Sequence, residues 1–178
     1  MESLSGIPAD KAFLFQGVYQ SSCVEISSNG KGAYARDKMR FTGLTDHGDY
    51  GGVTMHGVND VTTLYADSNC NTVAAVSNVD GTYAFTENNK VLTLTATTAT
   101  MTPKTQSLAD ELNTENFCGS KTWANNVAFD LMNSSCKEQS QKATYFVSST
   151  GANVDSMILY QCADDTFTNC SSVTYTRQ

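Results

Sequence analysis

Short segments rich in β-branched and aromatic residues recur along the chain between polar stretches, and this period-two rhythm predicts strands. The segments cover residues 13–26, 34–44, 50–58, 62–67, 72–79, 81–86, 91–98, 126–131, 144–147, 156–162 and 172–177. Between them, Ser28-Asn29-Gly30, Asp80-Gly81, Asn88-Asn89 and Thr150-Gly151 offer residues that tolerate positive φ, so consecutive antiparallel hairpins are expected. One segment departs from the rhythm. After Pro103, Ser107 precedes Asp110 and Glu111, and Leu108 and Leu112 stand four apart, which predicts a short helix near residues 106–115 with Ser107 as its N-cap. So short a helix cannot stand alone and must rest its leucines on the sheet. The fold class is therefore all-β: an antiparallel barrel or strongly curled sheet carrying one short helix.

Composition narrows the picture without changing it. With 178 residues, 40% of them hydrophobic, and no compositional break, residues 11–178 are expected to form a single β-barrel-like domain. Residues 1–10 fit neither a strand nor a signal peptide and are expected to be a disordered tether or an expression remnant. The net charge of -7, with only 11 Lys+Arg scattered singly, leaves no basic stripe for nucleic acid or an anionic membrane. No apolar run is long enough to cross a bilayer, so membrane contact is left to a lipid anchor on the precursor.

The 6 cysteines add a compartment. Cys23, Cys70, Cys118, Cys136, Cys162 and Cys170 show no CxxC and no Cys/His cluster, so disulfides are expected rather than zinc, and with them export to an oxidising location. Six cysteines allow fifteen connectivities. Local geometry favours Cys162 with Cys170, which bracket a polar hairpin tip, and Cys118 with Cys136, which leaves Cys23 with Cys70.

The segments Gly17-Val18-Tyr19-Gln20-Ser21-Ser22-Cys23, Tyr65-Ala66-Asp67-Ser68-Asn69-Cys70 and Asn116-Phe117-Cys118-Gly119, followed by Trp123 and Asn126-Val127, resemble a pattern in exported lipoproteins of Gram-negative bacteria. That resemblance implies a cleaved signal peptide, a periplasmic, outer-membrane-anchored or secreted protein, and the same cysteine pairs; it implies no activity. Gly17, Tyr19 and Arg177 are also similar to the lipocalin arrangement in which an arginine after the last strand covers an aromatic ring on the first. This second likeness implies a lipocalin-like barrel with a guanidinium stacked on Tyr19.

Chemistry-bearing motifs are few. His47 and His56, with Asp46 and Asp49, carry the ligand types of a zinc or iron site, and a metal-dependent enzyme around the two histidines is one alternative reading. No H-E-x-x-H or G-x-S-x-G motif accompanies them, and the expectation is a protein that is not an enzyme and uses no cofactor. Asp67-Ser68-Asn69-Cys70-Asn71 imitates the opening of a calcium loop but lacks its glycine and closing glutamate, so an Asx-rich turn is expected. Asn133-Ser134-Ser135 and Asn169-Cys170-Ser171 are glycosylation sequons. The leading expectation is an exported binding protein for a small apolar or aromatic ligand, held by inward aromatics, namely Tyr34, Tyr65, Tyr83 and Trp123. The other alternative is a surface protein-interaction module that offers the acidic loops 46–52 and 164–169 to a basic partner.

Overall fold

The structure, a computed structural model, describes residues 16–26, 33–45, 54–86, 91–137, 142–150, 154–162 and 170–178. Among these, the chain forms ten strands, one α-helix and one 3₁₀ turn. In order they are β1 Gly17–Ser21, β2 Val24–Glu25, β3 Tyr34–Thr45, β4 Thr54–Tyr65, β5 Val73–Thr86, β6 Val91–Pro103, helix α1 Gln106–Thr114, the 3₁₀ turn Phe117–Gly119, β7 Phe129–Asp130, β8 Lys142–Thr150, β9 Ser156–Cys162 and β10 Cys170–Arg177. The proposed tether 1–10 and the loops 46–52 and 164–169, with Asp46, His47 and Asp49, lie outside the described residues.

All strand pairings are antiparallel, and the sheet runs β1-β10-β9-β8-β6-β5-β4-β3-β2. β1 is paired on both sides: Tyr19 lies opposite Arg177 of β10 and opposite Met39 of β3. Because one strand serves both ends, the sheet must curl strongly on itself. The expected barrel is not formed: of the two alternatives the strongly curled sheet is the one observed, and it is not closed into a barrel. β8 pairs with β6 only over Val91 to Thr95, and farther along β6 the two-residue β7 takes its place, with Thr100 opposite Asp130 and Met101 opposite Phe129.

Bulges explain how such long strands wrap. β4 and β5 each run through a point where a break was expected, β4 across the gap between the segments 50–58 and 62–67 and β5 at the turn signal Asp80-Gly81. Gly81 is a strand residue, not a hairpin tip: its partner is Ala96, whereas Asp80 pairs with Thr98, so Thr97 is the extra residue of a β-bulge in β6. A Cβ on Gly81 would collide with the Thr95 carbonyl oxygen, so only glycine fits. The extra residue shifts the phase of β6, and Leu92 and Leu94 before it, then Ala99 and Pro103 after it, are all buried. The Thr97 hydroxyl donates to the Asp80 carbonyl oxygen at 3.0 Å and fastens the bulge.

Two apolar clusters fill the fold. One gathers Tyr19, Met39, Phe41, Val58, Tyr83, Leu92, Leu94, Val154, Met157, Leu159 and Tyr175. The other joins Ala99 of β6 to Ala109 and Leu112 of α1 and to Cys118, Trp123 and Leu131 of the segment that follows. The N-cap of helix α1 lies two residues before the expected one. Thr105, in extended conformation, accepts a hydrogen bond from the Leu108 amide at 3.2 Å, because the turn after Pro103 leaves its hydroxyl, not that of Ser107, over the first exposed amides. Of the strand expected over 126–131, only Phe129–Asp130 pairs with β6.

Cys23 is bonded to Cys70 and Cys118 to Cys136. Cys162 and Cys170 are direct partners in the β9–β10 ladder, though their side chains lie outside the described residues. Two disulfides are thus established where three were expected. Disulfides of this kind belong to a chain that folds in an oxidising, non-cytoplasmic location. Among the described residues, no helix is long and apolar enough to cross a membrane.

Candidate binding site on the enclosed face of the sheet

Strand alternation decides which side chains share the enclosed face. On β3, Ala35, Met39 and Phe41 are buried, which puts Asp37 on the same face; Arg36, Lys38 and Arg40 take the other. On β4 the positions opposite Asp37, Met39 and Phe41 are Thr62, Asp60 and Val58. Asp37 and Asp60 are therefore diagonal neighbours on one face of adjacent strands, a relationship within reach of side-chain interaction. Two carboxylates so placed among apolar residues are unusual.

Asp37 is built into the seam where the sheet meets itself. Its Oδ2 accepts from the Tyr175 hydroxyl on β10 at 3.0 Å, and its amide donates to the Ser21 hydroxyl on β1 at 2.9 Å. Ser21 in turn lies opposite Tyr175. One aspartate thus links β1, β3 and β10. Its Oδ1 is shielded from solvent and accepts no hydrogen bond, and the same holds for Asp60 Oδ1. Burial, and then the charge of Asp37, push the Asp60 carboxyl from its ordinary value of 3.8 up to about 7.

Aromatic rings continue the same face. Tyr19 and Phe41 meet edge-on with ring centres 6.0 Å apart, and Phe41 and Tyr83 meet edge-on at 4.8 Å. The Tyr19 hydroxyl donates to the Val154 carbonyl oxygen at 3.2 Å, and burial pushes its pKa up to about 12. Desolvation raises the Tyr83 phenol as well. Both stay neutral near physiological pH.

The four aromatics expected to line a ligand site do not converge. Tyr83 stands in the aromatic group just described. Tyr34 and Tyr65 are direct partners across β3 and β4, only half-buried, and Tyr65 carries the Arg36 guanidinium 6.0 Å above its ring, so both belong to the face that presents Arg36. Trp123 lies in the second cluster, its ring centre 4.1 Å from that of Phe129. Its Nε1 donates to the Phe117 carbonyl oxygen at 3.1 Å, while its backbone amide and carbonyl are both held by the Asn113 side chain, at 2.8 and 2.9 Å. Trp123 pins the 115–137 segment to helix α1.

Asp67 forms the expected Asx-rich turn. Its carboxylate accepts from the amides of Thr72 at 2.6 Å, Asn69 at 3.0 Å and Asn71 at 3.3 Å, and these bonds, that from Thr72 foremost, lower its pKa. The loop's own amides occupy the oxygens that a calcium ion would need. Only the backbone of His56 is described, so the expected histidine site lies outside the described residues, and among those no group of three His, Cys, Asp or Glu side chains could hold a metal.

Searches of protein-family models and of curated proteins found no match to the chain.

Asp37 lay within the expected strand 34–44 without being singled out, and Asp60 fell in the gap between the expected strands 50–58 and 62–67, because aspartate is depleted in strands and reads as a turn. Phase was the available signal: Asp37 is two residues from Met39 and four from Phe41, and Asp60 two from Val58.

Proposed function

We propose that the chain is an exported, non-enzymatic binding protein that takes a small apolar or aromatic ligand against the enclosed face of its curled sheet. The observation that carries this reading is the combination on that face of Tyr19, Phe41 and Tyr83 with two shielded carboxylate oxygens that the fold itself does not use. Ligand sites are built in this way, with much apolar surface and a few polar groups that select orientation. A group whose only role were structural would be expected to have its hydrogen bonds satisfied. The two disulfides support export, with a periplasmic, outer-membrane-anchored or secreted location.

Titration with N-phenyl-1-naphthylamine, a neutral aromatic dye that brightens in apolar surroundings, tests the reading. Saturable one-to-one binding that a Tyr83→Ala substitution weakens is the expected result. Non-saturating fluorescence, equal in wild type and variant, would overturn it.

A further inference from the structure

We infer that the ligand of the enclosed face is a small organic cation, an aromatic or apolar primary amine whose ammonium group docks between Asp60 and Asp37. The inference rests on the binding reading above and specifies its ligand. Two features of the enclosed face carry it. The first is the diagonal placement of the two carboxylates, each with an Oδ1 shielded from solvent and without a hydrogen-bond donor. Tyr175 satisfies Asp37 Oδ2 alone, which leaves the two Oδ1 atoms as the acceptors that an ammonium group with three donors would use.

The second is that, among the described residues, no protein cation shares the face with them. Arg36, Lys38 and Arg40 alternate onto the opposite face of β3, and Arg177 is committed at the end of the sheet, where its Nη2 donates to the Gln16 carbonyl oxygen at 2.6 Å. Among the described residues, the titratable groups that share the face are Asp37 from β3, Asp60 from β4, Tyr83 from β5, Tyr175 from β10 and Tyr19 from β1. None of these carries positive charge. A buried acid pair is costly to ionise without a counter-charge, so a ligand cation would meet a strong electrostatic complement. The rings of Tyr19, Phe41 and Tyr83 suit the rest of such a molecule through apolar contact, and their faces attract an ammonium group.

A hard divalent cation fits less well. Calcium takes six to eight oxygen ligands, and among the described residues no third carboxylate joins the pair. The raised carboxyl of Asp60 adds a signature: near neutrality the site carries a proton, and the arriving ammonium, already charged, displaces it. The balance is simple. The carboxylic acid and the ammonium give a carboxylate–ammonium pair and one proton, which passes to the buffer.

Isothermal titration calorimetry of the full chain with tryptamine, 3-methylindole, indole-3-acetate and calcium chloride tests this. Tryptamine is expected to bind at least about tenfold more tightly than 3-methylindole, with indole-3-acetate weakest. Asp60→Asn should remove the advantage of tryptamine, so that the variant binds tryptamine no more tightly than it binds 3-methylindole. In wild-type protein near neutral pH, the tryptamine enthalpy should vary with the ionisation enthalpy of the buffer in the direction of proton release, a readout that needs no variant. Equal binding of tryptamine and 3-methylindole without proton release would overturn the cation while leaving the binding function standing. Calcium binding sensitive to Asp60→Asn, with no tryptamine binding, would make the pair a metal site and overturn it too. If none of the probes bound, and the naphthylamine dye also failed, the binding function itself would fall.

Discussion

Tyr19 on the first strand and Arg177 on the last lie directly opposite one another, although 158 positions (177 minus 19) separate them in the chain. The Arg177 side chain crosses Gly17: a Cβ there would come within 3.2 Å of its Nε and 3.3 Å of its Nη2, and Gly17 has φ of 149°, which an L side chain rarely adopts. Crowding and backbone both demand glycine. Gly17→Ala is therefore expected to destabilise by about 1–3 kcal/mol, or roughly 2–10 °C in Tm. Calorimetry on Gly17→Ala, Arg177→Ala and the double variant would separate the causes. If the guanidinium contributes, the double variant will be less damaged than the sum of the singles; strict additivity would leave only backbone strain.

The disulfides should rank by loop length. Cys23–Cys70 spans 47 residues and Cys118–Cys136 spans 18, and loop entropy assigns them about 4 and about 3 kcal/mol. Cys70 and Cys118 also sit at positive φ, 53° and 52°, so each bond holds a backbone shape the chain would not choose alone. Replacing both partners by Ser should lower the urea midpoint more for the first pair than for the second. The reverse order would show that native-state packing around Trp123, not chain entropy, dominates.

Direct opposition of Cys162 and Cys170 across β9 and β10 leads to a third bond being expected between them. Non-reducing peptide mapping should recover that link, and thiol titration of the native protein should find no reactive cysteine. A reactive thiol at either position would count against it.

The strand rhythm, the single helix and the Cys118–Cys136 pair were legible in the sequence because each depends on local patterns: alternation, a proline stop, and bracketing of a short element; Cys23–Cys70 followed as the remaining pair. What escaped was set by neighbours distant in the chain. Asp80-Gly81 has the chemistry of a hairpin tip, yet β6 supplies an extra residue opposite it and keeps the strand going. Tyr34 and Tyr65 have strand chemistry, but which face they occupy depends on register, and register puts them with Arg36. Asp60 looked like a break between two strands; only its partners Met39 and Val79 reveal a buried mid-strand carboxyl.

Asn113 holds the Trp123 backbone at both its amide and its carbonyl, so Asn113→Ala leaves two polar groups without their partner in a half-buried place. The expected cost is about 2–4 kcal/mol. Hydrogen exchange should show faster exchange at the Trp123 amide and through the segment after α1, with the β9–β10 ladder unaffected. Uniform loss of protection would mean that the segment is not a separate unit of stability.

Asp60 gives stability a pH dependence of defined sign. Its carboxyl lies near 3.8 when unfolded and is pushed up to about 7 in the fold, so the folded state holds the proton more tightly. The stabilisation from this group is complete below about pH 4 and is lost as pH rises through about 7, on the order of a few kcal/mol in all. Asp67, whose carboxyl is lowered by the loop amides, acts in the opposite sense, and its contribution is lost only as the pH falls below the ordinary carboxyl range. The two windows separate the effects. Urea unfolding at about pH 5, 7 and 9 should therefore show the wild type losing stability relative to Asp60→Asn across neutrality, because the amide keeps a neutral side chain at every pH. A wild-type-to-variant difference that stayed constant over that range would mean that Asp60 is already ionised in the folded protein at pH 5. In that case the carboxyl would need a counter-charge close by, and a cation bound at the Asp37–Asp60 pair would be the first place to look for it.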